Sequence, residues 1–135
     1  MPDQDKSPLK GQYCLQKIED LFLMVDRIVP KWPALYRYTH GQRLYNLLNE
    51  MEALCVAANK KYFKKTTMQE LDIHTAQLQL LVRRIARTAY SDKTNRTRTL
   101  ITPGQHAEWS ALIVEIGNLI GGWMASLNER GKEVG

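Results

Sequence analysis

The residues best equipped for chemistry in this chain are Arg83, Arg84 and Arg87. Arginine carries a planar fork of donors that grips a phosphate through two bonds at once. Arg83 and Arg87 are four apart, so on a helix they stand one above the other, with Arg84 beside them. No acidic residue lies between Arg83 and Ser91 to neutralise them. Other cations flank the trio in sequence: Lys60, Lys61, Lys64 and Lys65 before it, Lys93, Arg96 and Arg98 after it, and Arg37 and Arg43 earlier. Two plainer readings compete. Lysines in a last helical turn complement the negative helix end, and a run of charge is commonly just a solvated face. Taken together, the cations favour a nucleic-acid backbone as ligand, held by charge and shape with little base readout.

The charge distribution supports that reading. The net charge is +5. Between Arg27 and Arg98 there are 14 Lys/Arg against 5 Asp/Glu, whereas the flanks hold 5 basic and 9 acidic residues. A basic middle with mildly acidic ends fits a polyanionic partner.

Catalytic constellations are harder to assemble. His40, His74 and His106 are isolated from one another. Glu70 and His74 are four apart, not at the Glu-x-x-His spacing of di-metal bundles, and no second pair exists. Gly121-Gly122 lies within a predicted helix, so there is no glycine-rich phosphate loop. Asn95-Arg-Thr97 matches a glycosylation pattern, but without a secretory signal it reads as chance. Cys14 and Cys55 lack C-x-x-C spacing and read as buried free thiols, with too few companions for zinc. The expectation is no enzyme, no cofactor and no metal. A small helical enzyme using one of the histidines is the weakest alternative.

The elements that would position the arginines are four helices. The last is the best marked. Thr102 is a good N-cap, Pro103 suits the first helical position, and Gly131 is the expected stop. Between them Trp109, Leu112, Ile113, Ile116, Ile120, Trp123, Met124 and Leu127 follow the spacing of one buried face. Gly117, Gly121 and Ala125 recur every four residues on the same helix. Glycine inside a helix costs about 1 kcal/mol against alanine. Close approach of another backbone would offset that, within the bundle or between subunits.

The remaining helices are expected at about 10–29, 36–63 and 67–90, with the last at 103–130. The first carries Cys14, Ile18, Leu21, Phe22, Val25, Ile28 and Val29 inward, widened by Leu23 and Met24, and Pro30 ends it. Trp32 is placed to cover the end of the bundle. The second presents Leu44, Leu47, Leu48, Met51, Leu54, Cys55 and Ala58. The third opens on a capping-box pattern, Thr67-Met-Gln-Glu70. The segment from Ser91 to Ile101 reads as a long, mobile, basic loop, and no segment shows strand alternation. Residues 1–10 and 132–135 read as tails. The fold expected is one all-α domain, an antiparallel up-down four-helix bundle over 11–131. Asp3 and Asp5 argue against a signal peptide. No apolar run approaches the roughly 20 residues of a membrane span. A soluble, cytoplasmic protein without membrane contact is expected.

Several stretches carry a family resemblance. These are Thr102-Pro103, Glu115-Ile-Gly117, Gly121-Gly-Trp123 and Asn128-Glu-Arg-Gly-Lys132 in the last helix, His40-Gly41, Val56-Ala-Ala-Asn-Lys60, and the Arg83/Arg87 pair. Through them the chain resembles the four-helix-bundle family of accessory variability determinant (Avd) proteins of diversity-generating retroelements. That family also takes in bundle proteins from intervening sequences of bacterial ribosomal RNA genes. The match covers all but the first helix and the 91–101 segment, and favours the Avd branch. The resemblance implies a pentameric barrel with a basic surface. It implies binding to the retroelement reverse transcriptase and to template repeat RNA or an RNA/DNA hybrid, support of mutagenic copying and retrohoming, and no catalysis. Arg83 and Arg87 match the family's arginine pair. The lysines at 60–65 and the basic 91–101 segment depart from it. The alternative is a structural or protein-binding bundle of the intervening-sequence type, whose cations only keep it soluble.

Overall fold

The computed structural model describes residues 7–60 and 64–134, with side chains over 11–60 and 64–128. Helix α1 spans Ser7–Ile28, so it begins inside the segment expected to be a tail. A 3-10 turn at Val29–Lys31, a single turn α2 at Ala34–Tyr36 and a π-turn at Arg37–Gly41 lead into α3, Gln42–Lys60. Helix α4 is Lys65–Ala86 and α5 is Pro103–Val134. The long helices pack in a closed sequence, α1 on α3, α3 on α4, α4 on α5 and α5 back on α1. This is an all-α bundle.

The stripes read from spacing form its core. Ile18, Leu21, Leu44, Leu48, Met51, Leu71, Leu78, Ile85, Trp109, Ile116, Ile120 and Trp123 are all buried. Truncating any of the leucines or isoleucines to alanine would cost roughly 2–5 kcal/mol. Leu23 does not widen the α1 stripe, since it faces out. At one end, Gly11 lies where a side chain would strike Trp123, so α1 and α5 approach closely there.

The start of α5 has a reciprocal cap. The Gln105 amide N–H donates to the Thr102 hydroxyl at 3.0 Å, and the Thr102 N–H donates back to the Gln105 side chain at 2.8 Å. This is the capping-box arrangement, with glutamine as its third-position member.

Five local expectations are corrected. The helix does not stop at Gly131 but runs to Val134, because a glycine ends a helix only by leaving helical conformation. Thr67 does not cap α4; it lies buried within the first turns, and Lys64 takes the cap position. The third helix stops at Ala86 rather than near Tyr90. The basic 91–101 segment is no open loop, since Ala89–Ser91 (β1) and Thr97–Thr99 (β2) pair as an antiparallel hairpin with Tyr90 opposite Arg98. Over Pro103–Asn128, α5 does reach the length and mean hydropathy, 1.3, of a membrane span. Its Trp109, Ile113, Ile116, Ile120 and Trp123 are nevertheless core residues of the bundle, and Glu108 and Glu115 face out.

Candidate nucleic-acid interface

The C-terminal turns of α4 bring Arg83, Arg84 and Arg87 to one end of the bundle, all exposed. With Leu80 and Thr88 they line a shallow groove of about 350 Å³. Leu80 is 63% exposed on its rim. The groove thus offers three guanidinium forks beside one exposed apolar side chain, an arrangement that suits phosphate oxygens.

The approach to α3 forms the neighbouring wall. Its shape is set by the connector. Val29 and Trp32 are buried, and a Cβ on Gly41 would come within 2.8 Å of Val29 Cγ1, so only glycine lets the π-turn settle there. Tyr36 stacks on His40, with ring centroids 5.9 Å apart, and also meets Tyr90 of the hairpin at 6.1 Å. His40 is held below the ordinary histidine pKa by partial burial, then by the positive fields of Arg84 and Arg43. That shift places the α3 start and the α4 end in one electrostatic neighbourhood. Arg37, on the π-turn, and Arg43, at the start of α3, are both exposed.

The hairpin is built by a residue that the charge reading overlooked. Asp92 Oδ1 accepts from the Thr94 N–H at 2.8 Å, the Thr94 hydroxyl at 2.7 Å and the Arg96 N–H at 3.0 Å. Its other oxygen pairs with Arg98 Nε. These bonds, first from Thr94 and then from Arg98, hold its carboxyl far below the usual carboxylate range. Asn95 turns the chain at φ 61°, a left-handed conformation asparagine tolerates. Arg98 is therefore committed to shaping the turn, and Arg96 and Lys93 are the exposed cations at its tip.

The lysines lie elsewhere. Lys60 ends α3 and Lys65 begins α4, and both are exposed. From Lys65 to Arg83 a helix rises about 27 Å. Lys60 and Lys65, which flank the arginine run in sequence, therefore lie at the opposite end of α4 from it. Lys64 lies over the Trp123 ring, 5.5 Å from its centroid. Lys61 falls outside the described residues.

The packing candidates also separate. Trp123 is fully buried in the core. A Cβ added to Gly117 or Gly121 would meet nothing within 4 Å, and Ala125 is exposed. Among the described residues nothing outside their own helix therefore packs on Gly117 or Gly121.

His74 proves to have an acidic partner that spacing did not reveal. Its Nε2 lies 2.6 Å from Glu50 Oε2 and its Nδ1 2.7 Å from the Glu70 carbonyl, clasping α4 to α3. Among the described residues no three His, Cys, Asp or Glu side chains gather as metal ligands would. Cys14 and Cys55 are buried free thiols, and the Cys55 Sγ donates to the Gly11 carbonyl at 3.4 Å. The Cys14 thiol is pushed far above its ordinary value by its hydrogen bond with Cys55 and by burial.

The chain is an all-α bundle with exposed cations at both ends of α4. Residues 13–127 match the family model described as bAvd-like, and the chain belongs to that family. None of the curated proteins matches it.

Proposed function

We propose that this protein is a non-enzymatic accessory subunit of a diversity-generating retroelement. In this reading it binds the reverse transcriptase and template RNA or its RNA/DNA hybrid, and supports mutagenic reverse transcription in the cytoplasm. The observation that carries the proposal is the gathering of Arg83, Arg84 and Arg87 on one open groove at the end of α4, with the Arg84 and Arg43 charges both felt at His40 near the start of α3. Membership of the bAvd-like family supplies the setting.

Self-assembly belongs to the same reading. The Gly117, Gly121 and Ala125 stripe is open, and beside it Tyr13, Gln16, Lys17, Glu115, Asn118 and Leu119 line a largely apolar groove between α1 and α5. A second copy packed there would let backbones approach closely and so offset the helical cost of the glycines. A ring, pentameric by family resemblance, would repeat the arginine end around its rim. Repetition raises avidity by orders of magnitude without new contact types.

The test is co-purification of RNA and reverse transcriptase with the wild-type protein and with an Arg83→Glu/Arg87→Glu variant. The variant should keep its helical circular dichroism and lose both partners. Equal recovery of both partners would overturn the assignment of this face. It would favour the other reading, a structural bundle whose cations serve solubility.

A further inference from the structure

The arginine end carries more than charge. From Arg27 to Asn49 the chain holds no acidic residue, yet this stretch contains Trp32, Tyr36, Tyr38 and Tyr45 together with Arg37, His40 and Arg43. The rings have different fates. Trp32 is buried, and Tyr36 is spent on His40 and Tyr90. Tyr38 is left over, 77% exposed, on the π-turn between them. Such turns are rare and recur at functional sites.

This turn is also held firmly. Thr39 donates its hydroxyl to the Leu35 carbonyl at 2.8 Å, the Tyr36 and Arg37 N–H groups both donate to the Pro33 carbonyl, and Gly41 is wedged under Val29. An exposed tyrosine on a fixed turn loses only two torsions when something covers it, and its ring offers a large flat surface. Arg37 is its immediate neighbour and Arg43 follows one turn on. His40, two residues from Tyr38, feels the charges of Arg84 and Arg43.

We propose that Tyr38 is a stacking platform for an unpaired base, so that this end of the bundle selects single-stranded over duplex nucleic acid. The inference rests on the nucleic-acid reading above and, of the two ligands named there, commits this end to the single-stranded template RNA and not the hybrid. An exposed ring on a basic turn, with Arg37 and Arg43 exposed on the same short segment, supplies the parts that grip single strands without sequence preference: the ring takes a base face while the cations follow the backbone. A duplex hides its base faces in its own stack and gives the ring nothing to cover. Phosphate contacts alone would not discriminate, because both forms present them.

The experiment is fluorescence anisotropy at one fixed salt concentration, with a labelled oligouridine and a labelled RNA duplex of equal length. Wild type, Tyr38→Ala and Tyr38→Phe are compared. Because Tyr38 is exposed, neither substitution disturbs the core. Tyr38→Ala should weaken oligouridine binding about tenfold or more while leaving duplex binding unchanged, and Tyr38→Phe should bind both as wild type does. Unchanged oligouridine binding by Tyr38→Ala would overturn the inference alone and make this ring a contact for a protein partner. Equal losses on both probes would overturn it too, by making Tyr38 a backbone contact. Failure of the wild type to bind either probe would sink the nucleic-acid reading itself.

Discussion

The Trp32 indole N–H donates to the Leu100 carbonyl at 2.7 Å, across 68 residues of sequence. That bond joins the connector carrying the π-turn to the segment where the hairpin hands over to α5. Both walls of the arginine end therefore hang from one buried contact. Leu100 and Ile101 are buried beside it, and the Leu100 N–H donates to the Thr88 carbonyl at 3.2 Å.

Replacing Trp32 by phenylalanine keeps a ring in place but strands the Leu100 carbonyl. An unsatisfied buried acceptor costs about 1–3 kcal/mol. The urea midpoint should fall accordingly, and protection of the Thr88 to Leu100 amides in hydrogen exchange should fall with it. A midpoint equal to wild type would mean that the two walls are not coupled through this bond.

The glycines divide into two kinds. A methyl group on Gly11 would come 2.0 Å from Asn59 Oδ1 and 2.8 Å from the Trp123 ring. Asn59 can swing aside, but the ring is locked in the core, so Gly11→Ala should lower thermal stability. Gly117→Ala and Gly121→Ala meet open space within the chain. In an isolated protomer each should raise helix stability by about 1 kcal/mol. If the stripe packs between copies, the same changes should dissociate the assembly in native mass spectrometry while protomer stability rises. Unaltered assembly would remove this stripe from the interface.

His40 gives the site a pH dependence whose sign can be worked out. Burial, Arg84 and Arg43 lower its folded-state pKa below the ordinary 6.5. The unfolded chain therefore binds the proton more readily. The associated stability is present at neutral pH and is lost as pH falls below 6.5 through the lowered folded value. Bound phosphates would oppose the arginine fields and raise that pKa. RNA binding should then take up a proton and tighten as pH falls from neutral, and His40→Ala should flatten the dependence. A wild-type affinity constant with pH over that range would separate His40 from the bound backbone.

Much of the bundle is legible in the sequence because helical stripes are local signals. Leu44, Leu48, Met51 and Cys55 sort inward by spacing alone, and Thr102-Pro103 marks the start of α5 as residue chemistry dictates. The hairpin is not legible by that route. Its strands are three residues long, lack apolar alternation, and depend on Asp92 gathering three donors across a turn. The His74–Glu50 contact spans 24 residues and two helices, so no periodicity reports it. The arginine trio is visible as a motif. Its separation from the lysines follows only once α4 is recognised as a straight rod with one cluster at each end. Tyr38 escapes notice because an exposed ring and a core ring look alike in sequence.

The central claim is that the arginine end, and not the lysine end, holds the polyanion. The most direct measurement is the salt dependence of oligouridine affinity for three proteins: wild type, Arg83→Glu/Arg87→Glu and Lys60→Glu/Lys65→Glu. Log affinity for a single strand falls with log salt by about 0.7 per phosphate neutralised. The account predicts a steep wild-type slope that collapses in the arginine variant and persists in the lysine variant. Collapse in the lysine variant, with the arginine variant binding as wild type does, would contradict it.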